Sequence, residues 1–184
     1  MDLIKEIVSR AQANKQRIVL PEGTEERTLK AANQILTDEV ADLILLGNRS
    51  EIEEAAKKWG LGNISKATII DPATSPKKEE YAQLLFELRK KKGMTIEEAR
   101  KLVTNPLYLG CLIIKNGDAD GQLAGARNTT GDVLRPALQI IKSAHKDRGV
   151  SAALISVKDG EAYLLSDCAV VIDPTDKELS DIAL

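Results

Sequence analysis

The segment Gly125-Ala126-Arg127-Asn128-Thr129-Thr130-Gly131-Asp132-Val133-Leu134-Arg135-Pro136 holds the residues best suited to chemistry. A short strand runs into glycine, two threonines and a second glycine, and a helix follows. Backbone N–H groups and hydroxyls at such a junction can hold an anion. Arg127 and Arg135 could add fork-shaped donors for a phosphate. The plainer alternative is that Thr130 or Asp132 caps the helix while Arg135, Gln139 and Lys142 share its wet face. Arg89 flanks the apolar stripe of a helix that ends at Gly93. There it could meet a ligand, but the simpler role is to stabilise the helix C-terminus together with Lys90, Lys91 and Lys92. Cys168 has no histidine beside it and reads as a buried structural cysteine rather than a nucleophile. The single histidine, His145, lies in a polar stretch and is expected to be solvated. P-loop, GxGxxG, paired-carboxylate and nucleophile-elbow patterns are absent.

These residues need a frame, and the hydrophobic pattern supplies one. The 184 residues are 43% hydrophobic and 29% charged, with a net charge of -2, as in an ordinary globular protein with one full core. Interspersed acids and bases give no footprint for nucleic acid or an anionic membrane. No apolar run approaches the roughly 20 residues of a membrane span, and the N-terminus lacks a secretory h-region. It reads as an amphipathic helix with Leu3, Ile4 and Ile7 on one side. Two cysteines and one histidine are too few for a disulfide framework or a histidine-type metal cluster. The expected compartment is the cytoplasm.

Short β-branched runs alternate with helical periods. Ile18-Val19-Leu20 is a strand stopped by Pro21, and Thr24 is the expected cap of a helix with Leu29, Ala32, Ile35 and Leu36 on one face. Leu43–Leu46 is a second strand, and Ser50 with Glu53 suggests a capping box for a helix ended by Gly60. Ala67–Ile70 is a third strand. Ser75-Pro76 opens a helix with the stripe Tyr81, Leu84, Leu85 and Leu88, and Thr95 with Glu98 caps the next one. Pro106 opens an apolar helix, Asp120–Gly125 is a short strand, and a helix runs from about Asp132 to Lys142. The alternation predicts an α/β fold: a three-layer α/β/α domain with a mostly parallel sheet. After residue 148 the pattern changes. Asp159-Gly160 between two strand-like runs signals a type I′ hairpin, hence antiparallel pairing. The expected domains are 1–148, and 149–184 as the beginning of a second α/β domain too short to fold alone. The chain ends within a helix started at Asp173-Pro174-Thr175, so it reads as a fragment.

Several stretches closely resemble phosphate acetyltransferases (phosphotransacetylases) of the phosphate acetyl/butyryl transferase family. They are Ile18–Leu29 (IVLPEGTEERTL), Leu45–Asn48, Asp71–Ser75, Glu87–Thr95, Gly117–Gly121, Leu134–Lys142 and Asp167–Ala169. The matches run in order through essentially the whole chain.

The resemblance implies two α/β/α domains with the active site in the cleft between them, the first completed by later sequence. It implies reversible acetyl transfer between CoA and inorganic phosphate: the CoA thiolate attacks the carbonyl carbon of acetyl phosphate, a base takes the thiol proton, and cations hold the phosphate. Acetyl-CoA, phosphate and acetyl phosphate are the implied partners. No metal or prosthetic group is needed, and the full-length form is a homodimer. Arg89 and Arg135 match two arginines used for substrate binding and transition-state charge, with Arg135 expected to contribute more because it adjoins a helix N-terminus. Thr129 and Thr130 match a hydroxyl pair beside the phosphate, with Arg127 and Asn128 as further substrate-binding positions. Here the chain departs from the family, which usually has a small apolar residue, histidine and serine at 127, 128 and 129. The family's serine–arginine–aspartate cluster has no match in residues 1–184, so this chain alone is expected to be inactive. The alternatives are phosphate butyryl transfer, or a non-catalytic module of the same fold that binds CoA esters.

Overall fold

A computed structural model describes residues 2–143 and 149–184. The described residues fall into two units, one of Ser9–Ile141 and one of residues 2–8, 142–143 and 149–184. The boundary expected at residue 148 and His145 both lie outside the described residues.

In the larger unit, β1 (Arg17–Leu20), β2 (Asp42–Leu46), β3 (Thr68–Ile70) and β4 (Gly121–Gln122) form a sheet ordered β3-β2-β1-β4. Every pairing is parallel. Successive side chains of a strand point to opposite faces, and the core divides accordingly. Val19, Ile44 and Leu46 pack on one face, while Leu20, Leu43 and Leu45 pack on the other. The second face is covered by α2 (Glu26–Thr37), through Leu29, Ala32 and Leu36, and by α3 (Arg49–Lys58), through Ile52 and Ala56. Over the first face lie α4 (Lys78–Arg89), α5 (Ile96–Leu102) and α6 (Pro106–Lys115). The three-layer α/β/α arrangement of mostly parallel sheet follows directly from the two-faced strands.

Asn105 caps α6, accepting from the N–H groups of Leu107 and Tyr108, with Pro106 in the first turn where its missing N–H costs nothing. From Leu107 to Ile113 every residue of α6 is buried. Gly110 lets this helix approach β4: a Cβ there would come within 1.8 Å of Gln122 Oε1.

Several element boundaries differ from those the sequence suggests. Glu25, not Thr24, caps α2, accepting from Thr28 N at 2.7 Å, while the Thr24 hydroxyl accepts from Arg127. Asn48, rather than Ser50, caps α3, because the chain turns directly out of β2 at Gly47. The expected helix 132–142 divides into α7 (Thr130–Pro136) and a π-helical turn, Ala137–Ile141. Pro136 has no N–H to extend the α ladder, and the wider turn accommodates it. By contrast, the Thr95–Glu98 capping box and the left-handed closures at Gly60 and Gly93 occur as read.

Among the described residues of the smaller unit, β5 (Ala153–Lys158) and β6 (Glu161–Ser166) pair antiparallel. Asp159 and Gly160 both have positive φ, 51° and 83°, as a type I′ turn requires. Every residue of both strands is exposed. A capping box of Thr175 and Glu178 opens α8 (Asp176–Ala183). The N-terminal helix α1 (Leu3–Ala13) forms as expected, but it has no buried residue, and Ile4 and Ile7 stay exposed. Cys168 is exposed, not buried as its sequence context suggested, because no packed layer covers the end of β6 among the described residues. Buried Cys111 is the structural thiol, its ionisation pushed up to about 11, chiefly by desolvation.

Candidate functional site: a basic cleft beside a carboxylate-bound loop

Beyond the carboxyl end of β1, Pro21 turns the chain and Glu22 points to the loop that leaves β4. Strand order reverses between β1 and β4, a place where open α/β sheets commonly hold ligands. Here the occupant belongs to the protein. Glu22 Oε2 accepts from Gly125 N at 3.0 Å and Ala126 N at 2.8 Å. Glu22 Oε1 accepts from Arg127 N at 2.7 Å, Asn128 N at 3.0 Å and Asn128 Nδ2 at 2.7 Å. Burial, which leaves Glu22 8% exposed, raises its carboxyl pKa, but these donors outweigh it and hold the group at about 2. Gly23 permits the close approach of this turn to β2: a Cβ there would meet Leu46 O at 2.6 Å.

The N–H groups of residues 125–128, in the segment that could hold an anion or simply start a capped helix, are therefore not free for an outside anion. The concave row of backbone donors exists, but an internal carboxylate fills it. Arg127 is committed as well, its guanidinium donating to Thr24 Oγ1 and Thr24 O at 3.2 Å each. Thr129 is the cap of α7, accepting from Asp132 N and donating to Asp132 Oδ2. Thr130 stands exposed in the first turn.

A cleft of about 940 Å³ lies instead where α4 ends, between α5, the start of α6 and the α7–π segment. Arg89, Lys92, Lys101, Tyr108, Arg135 and Gln139 are among the residues that line it. Arg89 is the last residue of α4, and its Nε is buried with no hydrogen-bond partner. A buried guanidinium donor left without an acceptor is costly. A cleft lined by Arg89, Lys92, Lys101 and Arg135 against a single acid, Glu98, suits an anion. In the same lining the Tyr108 hydroxyl donates to Gln139 Oε1 at 3.2 Å.

Residues 2–184 match the family described as phosphate acetyl/butaryl transferase. The chain belongs to this family. Phosphate acetyltransferases of Thermoanaerobacterium thermosaccharolyticum and Clostridium acetobutylicum are each 47% identical to it over 190 residues, covering 100% of this chain and 57% of each relative. The EutD phosphotransacetylase from Staphylococcus aureus superposes with a TM-score of 0.90 at 37% identity, over 99% of this chain and 55% of that one. A phosphotransacetylase from Streptococcus pyogenes gives the same score at 33% identity, over 98% of this chain and 55% of that one. The chain spans about half the length of the curated relatives it matches. Among its described residues no helix is long and apolar enough to cross a membrane.

In this member of the phosphate acetyl/butaryl transferase family, the fold brings Arg89 and Arg135 to one cleft. It does not bring Arg127, Asn128, Thr129 or Thr130 there. Arg135 sits in the last turn of the short α7, so its cleft position, not a helix N-terminus, qualifies it for binding. Sequence reasoning missed Glu22, Tyr108 and the position of Gln139 in the cleft lining. Two signals existed: an acid directly after a strand-ending proline, and a lone hydroxyl inside the apolar run 107–114.

Proposed function

We propose that this chain carries the phosphate-binding portion of a phosphate acetyltransferase, which moves acetyl reversibly between CoA and inorganic phosphate. The carrying observation is the shared cleft of Arg89 and Arg135 with an unpartnered Arg89 Nε. In this reading the CoA thiolate attacks the carbonyl carbon of acetyl phosphate, and the carbon–oxygen bond to phosphate breaks. Phosphate leaves as an anion, and the arginines stabilise its charge as it develops. Relatives named phosphate acetyltransferase support acetyl as the acyl group. The base that removes the thiol proton would come from the serine–arginine–aspartate cluster, which residues 1–184 do not contain. The reading requires no metal or prosthetic group, and CoA is a substrate. It also places the enzyme in the cytoplasm, in acetate metabolism, as a homodimer that engages neither nucleic acid nor membrane.

Titration with inorganic phosphate, followed by backbone amide chemical shifts, tests this. Shifts should cluster around Arg89, Tyr108 and Arg135 and weaken in Arg89→Ala and Arg135→Ala. Absence of binding, or binding indifferent to both substitutions, would sink the reading.

A further inference from the structure

We propose that Gln139 is a third phosphate-binding side chain of this cleft and that Tyr108 is its positioning residue; this rests on the reading of the cleft given above. Pro136 is fully buried and interrupts the α ladder, and the next five residues, Ala137–Ile141, take up a π-helical turn. Such wide turns inside helices occur frequently at functional sites. Ile140 anchors this one in the core, while Gln139, between Leu138 and Ile140, lines the cleft with Arg135.

The side-chain chemistry gives the second, independent observation. Tyr108 is 9% exposed on α6, and its hydroxyl donates to Gln139 Oε1 at 3.2 Å. That bond engages the acceptor end of the amide and orients the group. The donor end, Nε2, remains for the cleft. Arg89 and Arg135 line the same cleft, so the amide adds a neutral N–H to a lining that already carries two guanidinium groups. A phosphoryl group has more lone pairs than two arginine forks need, and it can accept this bond as well. An amide already held by a tyrosine loses less rotamer freedom on binding than a free one.

The test is a phosphate titration of the 184-residue chain and four variants: Gln139→Met, Tyr108→Phe, their double variant, and Arg89→Ala. Gln139→Met keeps length and apolar contact but removes the donor, and Tyr108→Phe keeps the ring. Gln139→Met and Tyr108→Phe should each bind phosphate about threefold to tenfold more weakly. The double variant should be no weaker than Gln139→Met, because Tyr108 acts through Gln139. A purely structural role for the tyrosine would instead add its effect in the Gln139→Met background, and that result overturns the positioning assignment. Loss of binding in Arg89→Ala with unchanged affinity in Gln139→Met overturns this proposal and leaves the phosphate cleft standing. No phosphate binding by the unsubstituted chain overturns both. Matching amide spectra of the free variants show that any loss is not unfolding.

Discussion

Asn128 donates its side-chain amide to Glu22 at 2.7 Å, closing a set of five donors around one buried carboxylate. The two residues belong to turns more than a hundred positions apart in the chain. Their contact joins the exit of β1 to the exit of β4 and so sets the path of the chain into α7 and the wall of the cleft.

Glu22→Gln should therefore destabilise the protein by about 3 kcal/mol at pH 7, because an amide places an N–H against a ring of N–H donors. The Glu22 carboxyl is depressed from its ordinary 4.5 to about 2, so its contribution is present above the unfolded value and is lost as pH falls through the folded one. The stability gap between wild type and variant should narrow between about pH 4.5 and about pH 2. Urea unfolding followed by the single tryptophan, Trp59, measures it. A gap unchanged across that range would remove Glu22 as its source.

Arg89→Ala should weaken phosphate binding at least as much as Arg135→Ala. Proximity to a helix N-terminus favoured Arg135 from sequence, but Arg135 lies at the other end of α7 and is exposed. Arg89 has a desolvated Nε, where an ionic hydrogen bond is stronger. Losses of about tenfold or more for Arg89→Ala and a few-fold for Arg135→Ala are expected. The reverse order in a phosphate titration would show that desolvation does not set the ranking.

Assayed alone, the 184-residue chain should form no acetyl phosphate from acetyl-CoA and phosphate. Binding groups without the base and the rest of the reacting geometry lose many orders of magnitude in rate. Turnover at ordinary enzyme rates by a contaminant-free sample would contradict this.

Amides of β5 and β6 should exchange with solvent far faster than those of β1 and β2. A two-stranded hairpin is marginal in water, and here both its faces are open, with Leu164 71% exposed. The same exposed apolar side chains and strand edges should promote self-association. Leu164→Glu should shift sedimentation toward monomer. Protection of residues 153–166 equal to that of β1 in a monomeric sample would be the contrary result.

The sequence alone determined the elements whose cause is local. Alternating two-faced strands such as Leu43–Leu46, the Thr95–Glu98 capping box, Pro106 at the head of α6 and the Asp159-Gly160 turn each encode their geometry within a few residues. The alternation of strands and helices gave the fold class, and the ordered family matches pointed to Arg89 and Arg135, which the fold brings to one cleft. Which donors stay free depends on long-range packing. The glycine- and threonine-rich loop after β4 has the local form of an anion site, and nothing within it reveals that Glu22, at the exit of the neighbouring β1, fills its N–H groups. Likewise Gln139 reads as one member of a wet helical face until Pro136 converts the following turn to π geometry and Tyr108 meets it from α6. Hydrogen-bond capacity is saturated by whatever the packed chain brings near, and that proximity is set by long-range contacts rather than by spacing along the sequence.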